Sequence, residues 1–145
     1  MKVVIVSGFF NPLHGGHLDM IEAGAELGDR LIVIVNNDAQ QVMKKGKVIL
    51  TAENRARLIR ALRDVDEVMI AVDEDPTVTK SLEHIALKYP DAELVFANGG
   101  DRDSEKAIPE GDVCRQYTIE MIFGVGGTEK ADSSTRINQA MGHAK

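Results

Sequence analysis

Five short, largely apolar runs, each separated from the next by chain of helical length, constrain the fold of this sequence most. They are KVVIVS at 2–7, RLIVIV at 30–35, DEVMIAV at 66–72, AELVFA at 92–97 and TIEMIFG at 118–124. Near-continuous apolar runs of this length read as strands buried on both faces, as in a parallel sheet. LDMIEAGAELG, after the first run, carries apolar residues at helical spacing. Further helices are expected from a Thr51 cap through about Leu62, from about Thr77 to Lys88, more weakly at about 109–117, and from about Ser133. The segment from the second strand through Leu50 reads as a polar loop. Such alternation predicts right-handed crossovers and a sheet covered on both faces, with ligands bound beyond the carboxyl ends of the strands at a switch point.

The expected fold is therefore α/β, a Rossmann-like doubly wound parallel sheet of about five strands, in one domain spanning 1–145. A chain of 145 residues with 43% hydrophobic content can bury one sizeable core. A net charge of −6 argues against a nucleic-acid surface, so any bound anion must be met locally. No apolar run approaches the ~18 residues that span a bilayer, so no membrane association is expected. The single cysteine, Cys114, excludes an intramolecular disulfide and reads as buried against the sheet. The chain opens directly on a strand, and with the cysteine usage this points to the cytoplasm. With no tryptophan and 4% aromatic residues, an aromatic base-stacking platform is not expected.

At the first strand-to-helix junction stands SGFFNPLHGGH, residues 7–17. Gly8 permits a tight turn, Pro12 fixes φ, and Gly15 and Gly16 let a ligand approach backbone N–H groups. A helix N-terminus favours an anion, and His14 and His17, at i and i+3, share one face of its first turn. The junction reads as a phosphate site. Half of a zinc site is the other reading, but His84 and His143 stand alone in segments without further ligands.

With these residues in view, the chain resembles the HxGH nucleotidylyltransferase superfamily, in its cytidylyltransferase-like branch. LGDRLIVIVNND at 27–38, MKKGKVIL at 43–50, ENRARLI at 53–59, RDVDEV at 63–68 and SSTR at 133–136 follow in the order found in glycerol-3-phosphate cytidylyltransferase-like proteins. Similar blocks occur in the adenylyltransferase domain that makes ADP-heptose, with a GGD triplet like Gly99, Gly100 and Asp101.

The resemblance implies a catalytic set of His14, His17, Lys44 and Arg136. The two histidines would donate to the α- and β-phosphates, and Lys44, with Lys47 nearby on a flexible basic loop, would close over the triphosphate. Lys45 reads as solvated. Ser133, Ser134 and Thr135 would cap the last helix and meet β- and γ-phosphate oxygens, with Arg136 as a fork. Gly8, Phe9, Phe10, Gly16, Asn98, Gly100 and Asp101 are further nucleotide-binding candidates, Asp101 through a ribose hydroxyl, with a glycine turn and a helix-capping aspartate as the other reading of that segment. Asn11, Asp38, Lys47, Arg55 and Arg63 are candidate acceptor or phosphate contacts. A surface ion pair with Glu53 or a neighbour is the other reading of Arg55. GVGG at 124–127 reads as a flexible turn. Phe9 replaces a residue that is often Thr or Ser in relatives, Asn11 replaces Asp, and Asp132 replaces an apolar residue.

The implied activity is transfer of a nucleoside monophosphate from CTP, or alternatively ATP, to a small phosphorylated acceptor, with Mg²⁺ escorting the triphosphate and a homodimer as the assembly. A phosphomonoester acceptor is already anionic near neutrality, with a second pKa of about 6, so no general-base carboxylate pair is required. A nucleotide-binding or partner-binding domain without catalysis, and a hydrolase releasing pyrophosphate, are the rival readings.

Overall fold

The structure, a computed structural model, describes residues 1–99 and 109–126. Its core is a five-stranded, all-parallel sheet in the order β3-β2-β1-β4-β5, formed by β1 (Lys2–Gly8), β2 (Arg30–Val35), β3 (Glu67–Ile70), β4 (Glu93–Gly99) and β5 (Glu120–Val125). This is the expected doubly wound arrangement. The order reverses beside β1, which pairs with β2 on one side and β4 on the other, so the loop leaving β1 sits at the switch point.

Alternate side chains of the strands feed two cores. Val4, Val6, Leu31, Val33 and Val95 pack on the face covered by α1 (Gly15–Ala25) and α3 (Ala52–Arg60), through Ile21, Ala56 and Ile59. Val3, Ile5, Ile32, Ile34 and Phe96 pack on the other, beneath α4 (Thr79–Lys88) and α5 (Gly111–Gln116). Each fully buried Val, Ile or Phe contributes about 1.5–3 kcal/mol, which is why the runs are β-branched on both faces.

One element departs from the sequence expectation. The stretch read as a polar loop through Leu50 contains a helix, α2 (Asp38–Lys45). Asn37 accepts from the Gln40 backbone N–H, the Gln40 side chain accepts from the Asn37 N–H, and Gly46 closes the helix at φ 78°. The usual amphipathic pattern is inverted: Gln40 is 0% and Gln41 2% exposed, whereas Val42 is 52% and Met43 49% exposed. Apolar periodicity therefore gives no sign of this helix.

At the far edge, β4 and β5 change register between Ala97 and Gly99, where β5 carries one extra residue. Gly124, at φ 72°, lies in that stretch. GVGG, read as a flexible turn, is packed at its third residue: a Cβ on Gly126 would lie 2.9 Å from the Met20 backbone of α1. Gly127 lies outside the described residues. Cys114 is buried beneath the sheet, and burial, with Glu110 nearby, pushes its thiol up to about 12.

Candidate functional site

The loop from β1 enters α1 through a reciprocal pair of histidine caps. His14 is the N-cap residue, and its Nδ1 accepts from the Gly16 N–H at 3.0 Å. His17, at the third helical position, accepts at Nδ1 from the His14 N–H at 3.2 Å. The two rings stack with centroids 3.8 Å apart. An Nδ1 that accepts carries no hydrogen, so each neutral ring holds its proton on Nε2 and presents that nitrogen as a donor. One helix start thus spends its His14 and Gly16 N–H groups on the cap and holds two imidazoles of defined tautomer beside the positive end of the helix.

Phe10 braces this pair from below. Its ring is 1% exposed and meets His17 edge-on at 4.9 Å. The same ring lies against Gly8, where an added Cβ would sit 2.8 Å from Phe10 Cζ. Gly8 and Phe10, expected among nucleotide contacts, therefore shape the floor under His17, and the Phe10 backbone is left-handed at φ 51°. Gly16 supplies the N–H that caps onto His14.

Arg55, expected at a phosphate or in a surface pair with Glu53, is fully buried instead. It donates to Phe9 O at 2.7 Å, Asn36 O at 2.8 Å, Leu50 O at 2.8 Å and Asp38 Oδ1 at 2.8 Å. Burial lowers its pKa and the Asp38 carboxylate opposes that shift. Asp38 also accepts from the Ala52 N–H, so it joins the start of α2 to the start of α3. Asn11 is buried and accepts from the Leu50 N–H at 2.9 Å. Arg55, Asp38 and Asn11 thus bind three connecting segments into one scaffold at the carboxyl edge.

Lys44 stands on the last turn of α2, not on a flexible loop. Its ammonium lies 4.3 Å from the centroid of the Phe9 ring, which brings Lys44 to the loop that carries the histidines. Lys47 is exposed, just beyond α2. Arg63 is not brought to this edge: it follows α3, its side chain is 92% exposed, and it lies 4.0 Å from Asp64. The adjoining chain, where the Asp66 N–H donates to Leu31 O, meets the sheet at the start of β2. Asn98 is buried at the β4–β5 register change, donating to Phe96 O and Ile122 O. Gly100, Asp101, Asp132, Ser133, Ser134, Thr135 and Arg136, with the segment expected to form a closing helix and His143, lie outside the described residues.

Several supporting residues were not anticipated. Gln40 donates to Asp75 O and Thr77 O, and Asn37 to Ala71 O and Asp73 O, clamping α2 to the loop after β3. Asp73 accepts from the Lys80 and Ser81 N–H groups and so caps α4, whose N-cap position, Val78, has no side chain for the task. Asn-x-x-Gln at 37–40 was the available signal for the first of these; Asp73 acts over seven or eight residues and left none. Among the described residues no group of three or more His, Cys, Asp or Glu side chains is placed to hold a metal ion, and no helix is long and apolar enough to cross a membrane.

Comparison with known proteins extends this picture. A family model described as cytidylyltransferase-like matches residues 5–140. The bifunctional protein HldE of Gluconobacter oxydans is 32% identical over 142 residues, which cover 97% of this chain and 27% of that protein. The FAD synthase of Pyrococcus abyssi is 43% identical over 101 residues, covering 69% of this chain and 64% of the synthase. The match thus takes in less than two thirds of either relative. A lipopolysaccharide core biosynthesis protein from Thermoplasma volcanium shares the fold, with a TM-score of 0.65 at 23% identity over 91% of this chain and 99% of that one.

Proposed function

The chain belongs to the cytidylyltransferase-like family, and from that premise we propose that it transfers a nucleotidyl group from a nucleoside triphosphate to a small phosphorylated acceptor. The observation that carries this reading is the reciprocal His14–His17 cap, which sets two stacked imidazoles at a helix start beside the switch point.

In the proposed reaction an acceptor phosphate oxygen attacks the α-phosphorus as the bond to the β-phosphate oxygen breaks and pyrophosphate leaves. The acceptor is already an anion, so positioning and charge neutralisation supply the catalysis. His14 and His17 donate from Nε2 to phosphate oxygens that gain charge in the transition state, and the α1 N–H groups add to the same field. Lys44 neutralises the departing pyrophosphate. Magnesium arrives as part of the triphosphate substrate. Ser133, Ser134, Thr135 and Arg136 would complete the phosphate contacts, and Asp101 would take a ribose hydroxyl.

CTP is the first choice of nucleotide, on the ungapped resemblance of residues 1–69 to glycerol-3-phosphate cytidylyltransferase-like proteins. ATP is the second, supported by the identity with FAD synthase, whose product contains an adenylyl group. We read the assembly as a cytoplasmic homodimer.

The test is thermal stabilisation by CTP, ATP, GTP and UTP with Mg²⁺, in the wild type and in His17→Asn, which retains an acceptor for the His14 N–H but lacks Nε2. Ligand at ~100 times its Kd adds about 2.7 kcal/mol, a rise of ~5–10 °C for a domain of this size. The expected result is a response to one triphosphate in the wild type and its loss in the variant, followed by acceptor-dependent pyrophosphate release. Absence of any response in the folded wild type rejects the reading.

A further inference from the structure

The ring of Phe9 meets the ammonium of Lys44 at 4.3 Å. We propose that Phe9 is a positioning residue whose ring face holds Lys44 in reach of a triphosphate seated at the start of α1. This inference rests on the nucleotidyl-transfer reading and adds to it the device that aims its lysine.

Ordering a lysine side chain against a phosphate costs rotamer entropy. A ring face beneath the ammonium removes part of the cost beforehand, because the negative quadrupole of the ring attracts the cation without neutralising it.

Platform and arm are fixed by one buried group. Arg55 holds the carbonyl of Phe9 at 2.7 Å and the carboxylate of Asp38, the first residue of α2, at 2.8 Å. Next to Phe9, Phe10 is locked between Gly8 and His17. Adjacent rings of one loop therefore carry Lys44 and brace His17, so both proposed phosphate ligands share a single rigid ledge. A hydroxyl at position 9 would donate to phosphate directly; the ring acts through Lys44.

The test is a double-mutant cycle on triphosphate affinity, using CTP and ATP with Mg²⁺, over Phe9→Leu, Phe9→Tyr and Lys44→Met. A cation–π contact at an exposed site corresponds to roughly a two- to five-fold effect. Phe9→Leu is expected to weaken binding by that factor, Phe9→Tyr to retain it, and Phe9→Leu to change nothing once Lys44 is Met. In the free wild type, the Lys44 ε-CH₂ protons are expected to show an upfield ring-current shift that moves on triphosphate addition. An equal loss from Phe9→Leu in both backgrounds means that the ring touches the nucleotide itself and overturns the proposal, as do unshifted ε-CH₂ protons in the folded wild type. Failure of the wild type to bind either nucleotide overturns the underlying functional reading, and this inference with it.

Discussion

His14 and His17 stack at 3.8 Å while each ring accepts a backbone N–H of the same helix turn. The caps fix structure through Nδ1 and the proposed chemistry falls to Nε2, so the two roles are separable by substitution. His17→Asn is expected to lower nucleotidyl transfer by about 10²–10³-fold, the cost of one preorganised donor. Stability should fall by under ~1 kcal/mol, since the cap acceptor is kept. Urea titration beside single-turnover rates checks this, and ¹⁵N-detected imidazole spectra of the wild type should give the Nε2–H tautomer for both rings.

Arg55 gives a prediction of the opposite kind. Its guanidinium serves three carbonyls and one carboxylate from within the core. Arg55→Met leaves those carbonyls without a donor and Asp38 without its cation, and is expected to cost about 3–5 kcal/mol. Arg55→Lys should recover little of it, because one ammonium cannot span four acceptors arranged around a planar fork. Denaturant midpoints measure both.

Glu67 predicts the acid limb of stability. Its carboxylate accepts from Tyr89 Oη at 2.6 Å, Lys88 Nζ at 2.9 Å and Arg30 Nη2 at 3.2 Å. Burial pushes its pKa upward, but donation from Tyr89, Lys88 and Arg30 outweighs burial and leaves it below the ordinary value. A folded-state pKa below the unfolded one contributes stability that is fully present above the unfolded value, about 4.3, and is lost as pH falls through the folded value. Melting temperature should therefore drop with acid over that window in the wild type. Glu67→Gln should show a shallower drop, with the two proteins converging at the acid end.

These residues also mark what the sequence makes legible. Strands β1 and β2 are readable because burial on both faces demands near-continuous β-branched runs, and the histidine spacing is readable because an N-cap residue meets the residue three on across the first helical turn. Helix α2 is hidden because its buried side is Gln40 and Gln41 and its exposed side Val42 and Met43. Arg55 looks like a solvated helix charge in ENRARL, and carbonyls from the β1–α1, β2–α2 and α2–α3 connections, with the Asp38 carboxylate, make its burial tolerable. Its environment is tertiary, and no local spacing encodes it.

Gly8 joins the floor of the site to its chemistry. A Cβ at this position would lie 2.8 Å from Phe10 Cζ, and the Phe10 ring cannot yield freely because its edge meets His17 at 4.9 Å. In Gly8→Ala the ring is expected to shift toward His17 and carry its Nε2 off line. Such overpacking costs about 1–3 kcal/mol in stability. Misplacing a reacting group by ~1 Å costs about 10²-fold in rate, so kcat should fall by that order while the triphosphate Kd changes far less. Binding isotherms and single-turnover rates on the same preparation measure the two effects. Equal losses in affinity and rate would instead make Gly8 a direct contact of the bound nucleotide.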